Sequence, residues 1–195
     1  MLASISPLGE RARGNRWALT AAAFAVGSVG TAMALGAALG VVGSVLGRPR
    51  PALLIVASAA AVAGLFDLSR FKLPTVRRQV DEDWLHRYRG WVYGAGFGGQ
   101  LGLGVVTVVT TATLYAWMAA VVLCGSVLLG VGAGLGFGLA RTVPVLAVRR
   151  VVDPRELRER LRTLASFGDR AHTVTALLSV AIGVGCAAGA IRAAG

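Results

Sequence analysis

Long runs of apolar residues, separated by short charged segments, constrain this chain more than any other feature. A helix that crosses a bilayer needs about 20 apolar residues, because each residue adds about 1.5 Å and the hydrocarbon core is about 30 Å thick. The sequence therefore predicts an all-α polytopic membrane bundle of about five transmembrane helices in a single integral membrane domain, residues 1–195. The five runs are Trp17–Leu46, Ala52–Leu68, Val92–Thr113, Leu114–Ala140 and Thr173–Ile191. Because the third and fourth runs adjoin at Thr113, a fused or re-entrant pair is the alternative there.

The composition excludes an ordinary soluble domain. Of the 195 residues, 55% are hydrophobic and 15% are charged, and the mean hydropathy is +0.69. The net charge of +11 could indicate nucleic-acid binding, but that function needs a basic face on a soluble fold. Here the basic residues stand between apolar runs, so the lipid bilayer is the expected partner and nucleic acid is not.

Lysine and arginine alternate between the two ends of the predicted helices. There are three before the first run, two in "GRPRP", six from Arg70 to Arg89, none near Thr113, eight from Arg141 to Arg170, and Arg192 at the end. Basic connections stay in the cytoplasm, so the segments with three, six and eight should be cytoplasmic. We expect a multi-pass protein of the cytoplasmic (inner) membrane, with its N-terminus inside and its C-terminus outside.

Both long cytoplasmic connections are predicted to form amphipathic helices. In "VDPRELRERLRTL", Asp153 can cap a helix that starts at Pro154, and Glu156 stands at the third position. Its apolar face comprises Leu157, Leu161 and Leu164, and that of "VDEDWLHRYRGW" comprises Trp84, Leu85, Tyr88 and Trp91. Anchoring at the membrane surface is the favoured interpretation, and docking of a cytoplasmic partner is the alternative.

Glycines are concentrated inside the predicted spans. Gly94, Gly96 and Gly99 fit the spacing G-x-G-x-x-G, but a phosphate site of that type needs a strand before the loop, which an apolar span does not provide. Small residues four apart instead let helix backbones approach closely in lipid. Such candidates for helix packing or a pathway are Gly94, Gly98 and Gly102, and Gly130, Gly134 and Gly138; Gly36 with Gly40 and Gly185 with Gly189 repeat the spacing.

Two polar residues near the spans are further candidates. Gln100 is the only amide in any run, and it needs a hydrogen-bond partner such as Thr107 or Ser126. It serves either as interhelical glue or as part of a pathway through an unwound, glycine-rich third helix. Asp67 is either an intramembrane functional acid or the ion-pair partner of Arg70 at the interface, and the second interpretation is favoured.

Little else in the sequence suggests chemistry. His86 and His172 are far apart and lack other ligands at suitable spacing, so no metal site, cofactor or enzyme activity is expected. Cys124 and Cys186 are predicted in the outer halves of antiparallel helices, without a basic neighbour that would activate the thiol. They are interpreted as small buried hydrophobes, with a redox pair as the alternative.

From Arg16 onwards, the order of features resembles the CcdA/DsbD transmembrane family, which carries electrons across membranes to extracytoplasmic thiols. The similar segments include "ALTAAAFAVGSVGTAMALGAALGVVGSVLG", "LFDLSRFKLPTVRRQ", "YRGWVYGAGFGGQLGLGVVT", "GVGAGLGFGLARTVPVLAVRRV" and "LASFGDRAHTVTALLSVAIGVGC". They correspond to the second through sixth helices of that family. A counterpart of its first helix is missing, and Leu101 and Gly102 stand where a Pro-Cys pair of the fourth helix is expected.

The resemblance implies the architecture of that family without its redox cysteines. The leading hypothesis is therefore a non-enzymatic subunit or scaffold that supports a membrane or extracytoplasmic redox or biogenesis complex. It would form a homo- or hetero-oligomer with another membrane protein, and a thioredoxin-like or cytochrome-maturation protein is a further candidate partner. The alternatives are a small transporter or channel with a glycine-rich gating helix, and a thiol-disulfide electron carrier that uses Cys124 and Cys186.

Overall fold

The computed structural model describes residues 5–47, 52–69, 87–104 and 111–194. In these residues the secondary structure consists of α-helices and no strands. The helices are α1 (Pro7–Ala12), α2 (Trp17–Leu46), α3 (Ala52–Leu68), α4 (Gly90–Leu103), α5 (Thr113–Cys124), α6 (Val127–Ala147) and α7 (Pro154–Ala194).

Three of these helices are long and apolar enough to cross a membrane. They are α2, α6 and the part of α7 up to Gly189, whereas α3 and α5 contain shorter apolar segments. Large apolar side chains point outwards on them: Val45 of α2 is 80% exposed and Leu128 of α6 is 81% exposed. Lipid, unlike water, accommodates such side chains without a free-energy penalty. The structure thus fits a helical membrane protein, but it has three helices of spanning length among the described residues where about five were predicted.

The predicted third and fourth spans have different bounds in the structure. Helix α4 ends at Leu103 and not at Thr113, because Gly104 has a φ of +68° and its N–H bonds back to the carbonyl of Leu101. Gly125, at φ +58°, likewise ends α5 at Cys124. A left-handed glycine is a common way to end a helix. The predicted spans Val92–Thr113 and Leu114–Ala140 are therefore replaced by α4, α5 and α6.

The predicted amphipathic helix after Asp153 is continuous with the last span. Asp153 Oδ1 accepts a hydrogen bond of 2.7 Å from the N–H of Arg155, and the helix begins at Pro154 as predicted. The helix then runs without interruption to Ala194, where the sequence predicted a separate span over Thr173–Ile191. Its leucines pack on other parts of the protein: Leu157, Leu161 and Leu164 adjoin Leu8, Val148 and Val151. The second predicted connecting helix falls largely on residues 70–86, outside the described residues.

The chain forms two compact units. The first comprises Met1–Ala34, Val76–Val108 and Gly134–Phe167, and the second comprises Leu35–Thr75, Val109–Ala133 and Gly168–Gly195. The main core of the first unit is aromatic and aliphatic, with Ile5, Ala21, Phe24, Tyr93, Phe97 and Val145. The second unit has a smaller core of Ala63, Ala112 and Ala116, against which Phe66 packs.

Candidate functional site

The glycines of α4 bring its backbone into contact with α2 in the first unit. A Cβ added at Gly94 would lie 2.5 Å from a carbonyl oxygen of α2, and a Cβ added at Gly98 or Gly102 would overlap one. The carbonyls belong to Thr20, Phe24 and Ser28 respectively. Because the contacted residue advances by four each time the glycine does, α4 runs parallel to the N-terminal half of α2.

The glycines of α6 make equivalent contacts with α2 in the opposite direction. In the first unit, a Cβ at Gly134 would overlap the carbonyl oxygen of Ala32, and one at Gly138 would lie 2.6 Å from the Cα of Val29. In the second unit, a Cβ added at Gly130 would overlap the carbonyl oxygen of Gly36, and a Cβ added at Gly36 would overlap that of Gly130. The contacts follow one face of α6, because a Cβ at Gly132 or Gly136 would meet nothing within 4 Å. Gly185 and Gly189 of α7 also face open space, although they share the four-residue spacing.

The amide of Gln100 is half-buried in α4, and among the described residues it has no hydrogen-bond partner. Of the two partners considered from the sequence, Thr107 lies outside the described residues, and the hydroxyl of Ser126 accepts from the N–H of Leu129 at 3.4 Å. One polar contact between α2 and α4 involves Thr31, whose hydroxyl lies 3.0 Å from the carbonyl oxygen of Gly99 and 2.8 Å from that of Gly27 in its own helix.

Asp67, near the end of α3, is buried and binds the start of α5. Its Oδ1 accepts the N–H of Ala112 at 2.6 Å, and its Oδ2 accepts the Thr111 hydroxyl at 2.5 Å and the Thr113 hydroxyl at 2.9 Å. The N–H of Thr113 also donates to Oδ2, at 3.2 Å. The first N–H groups of a helix lack intrahelical partners, and a carboxylate there also interacts favourably with the helix dipole. Asp67 therefore caps α5 from another helix.

The predicted ion pair between Asp67 and Arg70 involves a residue, Arg70, that lies outside the described residues. The nearest basic group described is His172 of α7, whose Nε2 is 4.0 Å from Asp67 Oδ1. Ser179 of α7 completes the polar cluster, because its hydroxyl lies 3.2 Å from that of Thr113. Three helices of the second unit thus converge on one carboxylate.

A second buried carboxylate, Glu10 of α1, was missed in the sequence. It is fully buried, and its Oε1 accepts Arg13 Nη2 at 2.7 Å and the hydroxyl of Tyr93 in a short hydrogen bond. Its Oε2 accepts the hydroxyl of Thr20 at 2.8 Å. Glu10 thereby joins α1 to α2 and α4. Gly90, at the start of α4, allows this approach, since a Cβ there would lie 2.5 Å from Thr20 Oγ1.

Part of this network could have been found from the sequence. Ser6 followed by Pro7 is the same kind of helix start as Asp153 followed by Pro154, and the Ser6 hydroxyl accepts the N–H of Gly9 at 3.1 Å. That signal predicts α1, but not the contact with Tyr93.

Burial lowers the pKa of Arg13, but the hydrogen bond to Glu10 and the contact with Tyr93 outweigh it, so the pKa is raised overall and Arg13 stays charged.

The two cysteines belong to the second unit and form no disulfide. Cys124 is exposed at the end of α5, and Cys186 is half-buried in α7. Among the described residues, no group of three or more His, Cys, Asp and Glu side chains could hold a metal ion.

Three curated relatives have the same name, Methylamine utilization protein MauF. The chain is 36% identical over 152 residues to the protein of Paracoccus versutus, covering 73% of this chain and 56% of the relative. It is 33% identical over 151 residues to the protein of Methylophilus methylotrophus, with coverages of 74% and 53%, and 33% identical over 151 residues to that of Paracoccus denitrificans, with coverages of 73% and 54%. The chain thus spans about half the length of the curated relatives it matches. No family model and no solved structure matches it.

These similarities correct the interpretation of the sequence. The resemblance to the CcdA/DsbD family is wrong, because the relatives are named for methylamine utilization and MauF is a different family. The predicted function as a subunit of a redox or cytochrome-biogenesis complex is therefore also wrong. The transporter and thiol-carrier alternatives lack support as well. Glycine spacing and loop placement do not distinguish the two families, because both are general features of packed membrane helices. What this chain is similar to is Methylamine utilization protein MauF.

Proposed function

We propose that this chain is an integral membrane protein that serves methylamine utilization and acts by holding another membrane protein. The observation that carries this proposal is the similarity to proteins named for methylamine utilization. The long apolar helices support a location in the membrane.

The surroundings of the two buried carboxylates support a non-catalytic role. Each oxygen of Glu10 and of Asp67 already accepts at least one hydrogen bond from a neighbouring helix or turn. A general base or nucleophile needs a carboxylate oxygen within reach of substrate. Both groups are instead used to join helices, so the protein is proposed to be a non-enzymatic component.

The proposal is tested by deleting the gene that encodes this chain from its source organism and measuring the growth of the deletion strain on methylamine. We expect growth with methylamine as the sole nitrogen source to be lost, and growth with ammonium to be unchanged. Expression of the wild-type chain from a plasmid should restore growth. Undiminished growth of the deletion strain on methylamine would contradict the proposal.

The same strain can test the proposed partner. An affinity-tagged chain is purified in mild detergent from cells grown on methylamine, and the captured proteins are identified by mass spectrometry. We expect one membrane protein to be captured in a stoichiometric amount, and only a tagged version that restores growth is informative. If the tagged chain restored growth and yet purified as a monomer without a partner, the proposed binding of another membrane protein would be contradicted.

We further propose five membrane crossings in the cytoplasmic membrane, with the N-terminus inside. Helices α4 and α5, of 14 and 12 residues, are each about 20 Å long, too short for a core of about 30 Å, so together they would supply one crossing. No lysine or arginine occurs between Arg89 and Arg141. The new helix boundaries in this region therefore leave the assignment of basic segments to the cytoplasmic side unchanged. In a cysteine-free background, Ser44→Cys should react with an impermeant maleimide in whole cells, and Ser166→Cys should react only after permeabilisation.

A further inference from the structure

A cavity of about 340 Å³ opens on the surface of the first unit, at the starts of α2 and α4. Its lining includes Asn15, Arg16, Leu19, Arg89, Gly90 and Trp91. Its volume is at the lower end of the range for small-molecule sites, about 300–1,000 Å³, and so suits a small polar group.

The cavity is positively charged. Arg16 and Arg89 come from two different segments of the chain, both are exposed, and neither forms an ion pair within the described residues. Of the residues that the structure describes, those that line the cavity include no acidic side chain. Glu10 lies behind its wall, but the carboxylate of Glu10 is already bound by Arg13, Thr20 and Tyr93. Within the described part of the chain, the charge of the two arginines is therefore not neutralised and can attract a ligand.

The helices add to this field. Arg16 and Arg89 directly precede α2 and α4, and these two helices run parallel, so both present their N-terminal ends on the same side of the first unit. The N-terminal end of a helix carries a partial positive charge. The Arg89 side chain does not cap α4. Two guanidinium groups and two helix ends thus favour an anion, and guanidinium groups pair well with phosphate oxygens.

The rim of the cavity is apolar. Leu19 is 54% exposed and Trp91 is 50% exposed, and tryptophan is enriched where hydrocarbon meets the headgroups. Leu19 belongs to α2, a helix of spanning length. A ligand with a phosphate and attached acyl chains would satisfy both the basic lining and the apolar rim. We propose that this cavity binds the phosphate group of an anionic phospholipid.

The test is titration of the purified full-length chain with phosphatidylglycerol, phosphatidylcholine and inorganic phosphate, followed by native mass spectrometry. We expect phosphatidylglycerol to bind more tightly than phosphatidylcholine. The double variant Arg16→Gln, Arg89→Gln should weaken phosphatidylglycerol binding by about tenfold or more, since both cationic contacts are lost. The matched control is Arg155→Gln, Arg158→Gln, which removes the same charge from exposed positions on α7 and should change binding by less than about twofold.

A conservative variant separates binding from folding. Arg16→Lys, Arg89→Lys should retain most of the preference for phosphatidylglycerol, because the charge remains. Equal binding of the two lipids, or an equal loss in the α7 control, would overturn the proposed site. If inorganic phosphate bound as tightly as phosphatidylglycerol, the site would belong to a soluble phosphate compound and the lipid assignment would be wrong. This inference is independent of methylamine utilization, because a strain without a growth defect could still contain a lipid-binding chain.

Discussion

Glu10 and Asp67 are carboxylates placed among apolar helices, where an unpaired charge would be costly. Each is surrounded by hydroxyl and charged or amide N–H donors, so its cost is offset by several charge-assisted hydrogen bonds. Such a group contributes more to which elements meet than to net stability. Glu10 specifies where α1 and α4 meet α2, and Asp67 specifies where α5 begins against α3.

Replacement of Asp67 by asparagine should destabilise the protein although the shape is nearly unchanged. Asparagine has one acceptor oxygen, so its NH₂ group would face donors from Thr111, Ala112 or Thr113. Leaving buried donors unsatisfied costs about 1–3 kcal/mol. We expect a lower midpoint of thermal unfolding for Asp67→Asn in detergent, measured by circular dichroism.

Asp153→Asn provides the control for that measurement. Asp153 also caps a helix, but it is exposed, and asparagine caps a helix about as well as aspartate does. Its midpoint should match the wild type. Equal midpoints for Asp67→Asn and the wild type would mean that the carboxylate does not hold α5.

At the scale of helices, the glycines of α4 and α6 differ sharply in what surrounds them. A Cβ at Gly98 would overlap the carbonyl oxygen of Phe24, whereas one at Gly132 would meet nothing within 4 Å. Gly98→Ala must therefore push α4 away from α2, and overpacking of this kind costs about 1–3 kcal/mol. Gly132→Ala should be neutral or stabilising, because alanine favours the helix over glycine.

These two variants are compared by thermal unfolding and by growth of the deletion strain on methylamine. We expect Gly98→Ala to unfold at a lower temperature and to restore growth poorly, and Gly132→Ala to behave as the wild type does. If both variants were equally stable, close contact between α4 and α2 would not matter to the fold.

The sequence predicted the helices whose ends are marked by charged or turn-forming residues. Helices α2 and α3 begin and end at the predicted residues, because "GNR" and "GRPRP" interrupt the apolar pattern. The ends of α4 and α5 were missed, since Gly104 and Gly125 look the same in the sequence as glycines that pack inside a helix. Only their surroundings make them adopt a positive φ.

The polar contacts were less predictable for the same reason. Glu10 meets Tyr93 across 83 positions of sequence and Asp67 meets Ala112 across 45, and neither spacing forms a motif. Ala112, which precedes α5, has no side chain that could cap it, so nothing in the local sequence indicates that a carboxylate from α3 performs this role. Pattern analysis finds partners within one helix, whereas these partners come from different helices.

At the scale of the whole molecule, the proposed function depends on helix surfaces and not on thiols. If the chain acts by holding a partner, then neither cysteine is required, and the variant Cys124→Ser, Cys186→Ser should restore growth on methylamine to the wild-type rate. Serine is tolerated at such positions because Cys124 is exposed and Cys186 is half-buried. The growth assay is compared with immunoblots of membranes, so that expression and activity are separated. A cysteine-free chain that is present at wild-type levels and yet fails to support growth would show that a thiol takes part in the function, and the role in binding alone would have to be abandoned.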